Sequence, residues 1–135
     1  MILLDTSVLS AVLRRRRPGE TEARLIARVS EVLASDIQVA IPGICLQELL
    51  SGIAESAQHD RVLAAVRASF TVALATEGDH LKAADVANLA ARKGIAVSTP
   101  DALIAAQTIN RRARLFTTDA DFEPLVKLAG LRLLG

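Results

Sequence analysis

This sequence predicts a three-layer α/β/α sandwich built on a central, mainly parallel sheet, and three observations predict it. Short apolar runs alternate with helical hydrophobic spacing along the whole chain, the pattern of a parallel sheet covered by helices on both faces. The first run, Ile2-Leu3-Leu4, contains no polar residue at all, as expected of a strand with neither face in water. No linker, repeat or low-complexity segment interrupts the 135 residues. The expectation is one domain over residues 1–135, long enough to bury roughly two-thirds of the surface its unfolded chain exposes.

Ile2-Leu3-Leu4 runs straight into Asp5 and then into two hydroxyls, Thr6 and Ser7. Either hydroxyl suits the cap of a helix over 8–13. Asp5 then stands at the carboxyl end of a central strand, where open α/β sheets bind their ligands. An ordinary strand followed by a capped helix fits the same residues. Next comes the basic run Arg14-Arg15-Arg16-Arg17, closed by Pro18-Gly19. It reads either as a solvated loop or as a phosphate-contacting edge, since four adjacent guanidiniums repel until something anionic approaches.

Leu25, Ile26, Val29, Val32 and Leu33 give 20–34 helical spacing, and residues 37–41 alternate into a second strand that Pro42-Gly43 ends. The helix expected over 44–53 places Leu46, Leu49, Leu50 and Ile53 on one stripe; Glu48 falls opposite it, on the face that spacing assigns to solvent. A further helix over 58–69 leads to a strand over 70–74. Thr76 and Asp79 mark a capped start, and that helix runs to Lys93 with Gly94 as its C′ residue. A short strand at 95–97 follows, then Thr99 as N-cap and Pro100 at the first helical position. The chain closes with Arg111, Arg112 and Arg114, a strand over 115–118, the turn Asp119-Ala120-Asp121-Phe122, a short helix over 124–128 and a last strand over 131–134.

Composition removes several classes of function. Phe70, Phe116 and Phe122 are the only aromatic residues, which leaves no platform for stacking a run of bases. The net charge is +1, so affinity for nucleic acid has to come from local patches. Cys45 stands alone; it excludes an internal disulfide or a cysteine-cluster zinc site, and it reads as a small core residue. His59 and His80 lack metal-ligand spacing. No signal peptide and no membrane-spanning apolar run is seen, so a soluble cytoplasmic protein is expected.

Three of the apolar runs end in acids or lead to them: Asp5, Asp101, and Asp119 with Asp121. In a parallel sheet the carboxyl ends of neighbouring strands share one edge, so these acids can converge. Asp101 also fits a plain first-turn acid favoured by the helix dipole, but Ile104, Ala105 and Thr108 share its face and aim it along an apolar stripe. Clustered carboxylates repel and raise one another's pKa unless a cation joins them. Oxygen ligands without histidine or thiolate suit Mg²⁺ or Mn²⁺. Thr6 and Thr117 are placed to hold those ligands from behind.

Four segments together resemble the PIN-domain ribonucleases, closely the toxin subunits of VapBC toxin–antitoxin systems. They are Leu4-Asp5-Thr6-Ser7-Val8-Leu9, Leu46-Gln47-Glu48-Leu49, Ser98-Thr99-Pro100-Asp101-Ala102-Leu103-Ile104-Ala105-Ala106, and Phe116-Thr117-Thr118-Asp119-Ala120-Asp121-Phe122, in the family's order and spanning nearly the whole chain. The resemblance implies an acidic quartet of Asp5, Glu48, Asp101 and Asp119 with Asp121 as auxiliary ligand; Glu48 enters only through it. It implies metal-assisted hydrolysis of RNA, Mg²⁺ or Mn²⁺ being held by Asp5, Asp101, Asp119 and Asp121, and Glu48 taking a proton or helping hold a second ion. Arg14 to Arg17, Arg111, Arg112 and Arg114 are candidates for steering RNA. A homodimer, and with a cognate antitoxin a heterotetramer or larger assembly, is also implied. A catalytically inactive scaffold of the same fold is the first alternative. The second is an aspartate-dependent phosphatase, whose usual Asp-x-Asp-x-Thr start differs from Asp5-Thr6-Ser7-Val8.

Overall fold

The computed structural model describes residues 1–13 and 19–135; Arg14 to Arg17 lie outside the described residues. Four parallel strands, β1 (Ile2–Leu4), β2 (Val39–Pro42), β3 (Thr71–Ala73) and β4 (Arg114–Phe116), form one sheet in the order β3-β2-β1-β4. Among the described residues, seven α-helices flank it: α1 (Thr6–Leu13), α2 (Glu20–Ala34), α3 (Gly43–Ser51), α4 (Ser56–Ser69), α5 (Glu77–Ala91), α6 (Thr99–Asn110) and α7 (Glu123–Ala129). This is the expected three-layer α/β/α architecture. None of the helices is long and apolar enough to cross a membrane.

β1 is central because it has no polar side chain to leave in water: Ile2, Leu3 and Leu4 are all buried and paired on both sides. Leu9, Ile41, Leu49, Ile104, Leu115, Phe122 and Leu125 are buried with them, so the core is aliphatic apart from two buried phenylalanines, Phe116 and Phe122. From β1 the chain winds outward through β2 and β3, then returns to place β4 on the other flank of β1. The winding therefore reverses between β1 and β4, and a crevice at the carboxyl ends of such a pair is the expected ligand position.

Several element boundaries depart from expectation, each for a physical reason. Residues 95–97 form no strand: Ile95 and Val97 are only partly buried, and Ile95 N–H bonds back to the Ala90 carbonyl as the chain leaves α5. The apolar run there is packing, not a ladder. The expected last strand at 131–134 shrinks to one bridge, Leu133 beside Leu115. Strands two to four are shorter or shifted by a residue or two, with Leu74 left 73% exposed just past the end of β3. Ser98, not Thr99, caps α6, and Pro100 sits at its second position. At α1 neither Thr6 nor Ser7 caps; the Asp5 carbonyl accepts from the N–H groups of Val8 and Leu9. One predicted terminus holds, Thr76 and Asp79 forming a reciprocal capping box. The other does not, since α5 ends at Ala91 with Arg92 as its C-cap and Gly94, at φ +73°, comes one residue after the C′ position.

Candidate active site

The site gathers at the β1–β4 crevice. The ladder between these strands extends one step past β1, Asp5 N–H donating to the Phe116 carbonyl at 3.0 Å. Asp5 is thereby fixed beside Thr117, and its side chain is 5% exposed. One of its carboxylate oxygens, Oδ2, accepts from Ser7 Oγ and from Thr117 Oγ1, both at 2.7 Å. Because Oδ2 is doubly engaged, Oδ1 is the oxygen left to meet a ligand.

Beyond β4 the chain turns sharply under local hydrogen bonds. Asp119 N–H donates to Thr117 Oγ1 at 3.0 Å, and Asp121 N–H donates to Asp119 Oδ1 at 2.9 Å. The second contact makes Asp119 the cap of a short 3-10 turn over Ala120–Phe122, which Phe122 anchors by full burial. Asp101 arrives from α6. Ser98 Oγ accepts its backbone N–H at 3.2 Å, which sets the first turn and turns the carboxylate to the same crevice. A carboxylate oxygen from each of Asp101, Asp119 and Asp121 lies within 4.8 Å of the others.

Burial raises the Asp101 pKa to about 6; the charges of Asp119, Asp5 and Glu48 add to the rise, and a hydrogen bond from Ser98 opposes it. Crowding of this kind is what a hard divalent cation relieves, and the donors present are all oxygen. Asp101, Asp119 and Asp121 fit such an ion by mutual distance; Asp5 lies outside that group of three, though its charge reaches Asp101.

Glu48 is exposed on α3, as its spacing implied, and its charge reaches Asp101. Thr6 Oγ1 donates to Glu48 Oε1 at 2.9 Å, tying α1 to α3. Thr6 and Thr117 thus both hold acids from behind, each a different one. Beneath them Cys45 is fully buried, and burial raises its thiol pKa to about 12. Hydrogen bonding with Thr6 works against that rise, and the charges of Asp5 and Glu48 add to it. The thiol is a protonated core group at neutral pH, not a nucleophile.

Of the candidate arginines, Arg111, Arg112 and Arg114 are described, and they lie at the amino end of β4, away from this edge. Arg111 ends α6, about 15 Å along the helix from Asp101, and its guanidinium is spent on the Asp79 carboxylate at 3.1 Å and on the carbonyls of Leu74 and Gln107. It acts as a structural clamp between α6 and the start of α5. Arg114 begins β4, whereas the site lies past the strand's end, about 10 Å away; its N–H pairs with the Met1 carbonyl. Arg112, exposed at φ 52°, precedes it and accepts a bond on its carbonyl from Arg132. Sequence reasoning also missed Ser7. The available signal was its spacing, since a hydroxyl two residues from an acid reaches that acid's own carboxylate.

The PIN-domain family model matches residues 2–128. Among solved structures, the chain is similar to FitAcB from Neisseria gonorrhoeae, with TM-score 0.78 and 22% identity over 100% of this chain and 97% of that one. VapBC-5 from Mycobacterium tuberculosis, described as a member of the VapBC family of toxin–antitoxin systems, gives TM-score 0.69 and 26% identity over 98% and 95%. VapC20 from the same organism, described as a sarcin-ricin-loop-cleaving toxin, gives TM-score 0.66 and 20% identity over 92% and 94%. No curated protein matches the sequence.

Proposed function

Because the chain belongs to the PIN-domain family, we propose that it is a divalent-metal-dependent endoribonuclease and the toxin of a type II toxin–antitoxin pair. The observation that carries this reading is the meeting of Asp101, Asp119 and Asp121, with Asp5 beside them, at the strand-order reversal. Asp5, Asp101, Asp119 and Asp121 hold the cation, Mg²⁺ or Mn²⁺. When bound, that ion neutralises charge on the phosphate and acidifies the attacking water.

The protein's own groups supply the rest. Glu48, exposed and steadied by Thr6, accepts the proton of the water that attacks phosphorus. As the new P–O bond forms, the ester P–O bond breaks, and the departing oxygen takes its proton from solvent. Asp5 keeps one orientation because two hydroxyls grip Oδ2. The relative described as cleaving the sarcin-ricin loop supports RNA as the substrate class. The VapBC relative supports an antitoxin partner; a homodimer that assembles with it into a heterotetramer or larger complex in the cytoplasm is part of the same proposal.

The test is direct. The purified chain is expected to cleave RNA with Mg²⁺ or Mn²⁺, to stop in EDTA, and to lose about a hundredfold or more as Asp5→Ala, beyond the usual cost of losing a supporting residue. Cleavage that persists in chelator overturns the metal reading.

A further inference from the structure

Ser7 makes more contacts across the crevice than its place in the chain requires. Its Oγ donates to Asp5 Oδ2 at 2.7 Å and accepts the Thr118 N–H at 3.1 Å. It also lies 3.3 Å from Thr117 Oγ1. Thr117 Oγ1 in turn donates to the same Asp5 oxygen and accepts the Asp119 N–H. Each hydroxyl has one proton. Both protons are directed at Asp5 Oδ2, so the 3.3 Å approach of the two hydroxyl oxygens is proximity and not a third bond. What remains is a closed set of four hydrogen bonds that joins the end of β1 to the loop after β4.

None of this serves α1. The helix takes its first amide acceptors from the Asp5 carbonyl, so the Ser7 hydroxyl is spare for the helix and committed to the loop. We propose that Ser7 is a positioning residue: it braces the Thr117–Asp121 loop against β1 and fixes the orientation of the Asp5 carboxylate relative to that loop. The brace rests on the reading of those acids as a divalent-cation site. Through it, the oxygen from β1 and the oxygens after β4 hold their spacing before any ion arrives, which is how supporting hydrogen bonds raise the affinity of a metal site.

The test is Mn²⁺ binding to the purified chain without RNA, followed by the electron paramagnetic resonance signal of the free ion. Ser7→Ala is expected to weaken Mn²⁺ about 10- to 100-fold, while Ser7→Thr, which keeps the hydroxyl, restores it. Thr117→Val, which removes the other donor at nearly constant shape, weakens it comparably. In chelator, Ser7→Ala still melts as a cooperatively folded chain but exchanges the Thr118 and Asp119 amides faster. An unaltered chain that binds Mn²⁺, with Ser7→Ala binding it equally well, overturns the brace alone. An unaltered chain that binds no Mn²⁺ overturns the cation site, and the brace with it.

Discussion

Asp101 is a carboxylate whose charge the fold disfavours. With its pKa raised to about 6, it binds a proton between roughly pH 4 and pH 6 that the unfolded chain releases. At neutral pH and without metal, its ionised form therefore weakens the fold. Asp101→Asn is expected to stabilise the metal-free protein by about 1 to 2 kcal/mol at pH 7, a figure discounted for the partial openness of the site. Urea unfolding in chelator measures it, and a loss of several kcal/mol would show that Asp101 is a structural ion-pair partner. The acids that follow apolar runs, Asp5, Asp119 and Asp121, were legible in the sequence because the run ends where the sheet edge begins. Glu48 was not. Its partner Thr6 comes from another element, and its own spacing describes correctly a side chain that is exposed.

Among the elements, α5 and α6 show how a locally readable motif acquires a distant purpose. The capping box of Thr76 and Asp79 was visible in the sequence, but the Asn110 amide and the Arg111 guanidinium also reach Asp79, at 2.9 and 3.1 Å, from the far end of α6. Burial disfavours the Asp79 charge, yet the Thr76 N–H, Asn110 and Arg111 outweigh it and hold its pKa below the usual value. The clamp fixes α6 at the end opposite Asp101, and Gln107 adds a bond to the Ala73 carbonyl at 3.0 Å. Removing the partner of a nearly buried acid is costly, so Arg111→Ala should lose about 2 to 3 kcal/mol in urea unfolding, less than a fully enclosed pair because Arg111 is partly exposed. An unchanged midpoint would return Arg111 to the set of free cations available to RNA. The strand expected at 95–97 failed for the complementary reason. A short apolar run cannot reveal whether a neighbouring strand has an open edge for it.

For the molecule as a whole, Asp79 and Asp101 pull stability in opposite directions with pH. The Asp79 contribution is present above the unfolded carboxylate value near 4 and is lost as pH falls through its lower folded value. The Asp101 contribution is present below that same unfolded value and is lost as pH rises through about 6. From these two groups, the metal-free chain should be most stable near about pH 4 and weaken toward neutrality. A divalent ion binds the ionised cluster, so it raises only the neutral limb, by about 2.7 kcal/mol at a hundredfold excess over its dissociation constant. Thermal midpoints against pH, in EDTA and in Mn²⁺, should therefore coincide near pH 4 and diverge above pH 6. Curves that stay together at neutral pH would mean that acids collected at the β1–β4 reversal do not act as one ligand set, and the fold would then have to tolerate their repulsion without compensation.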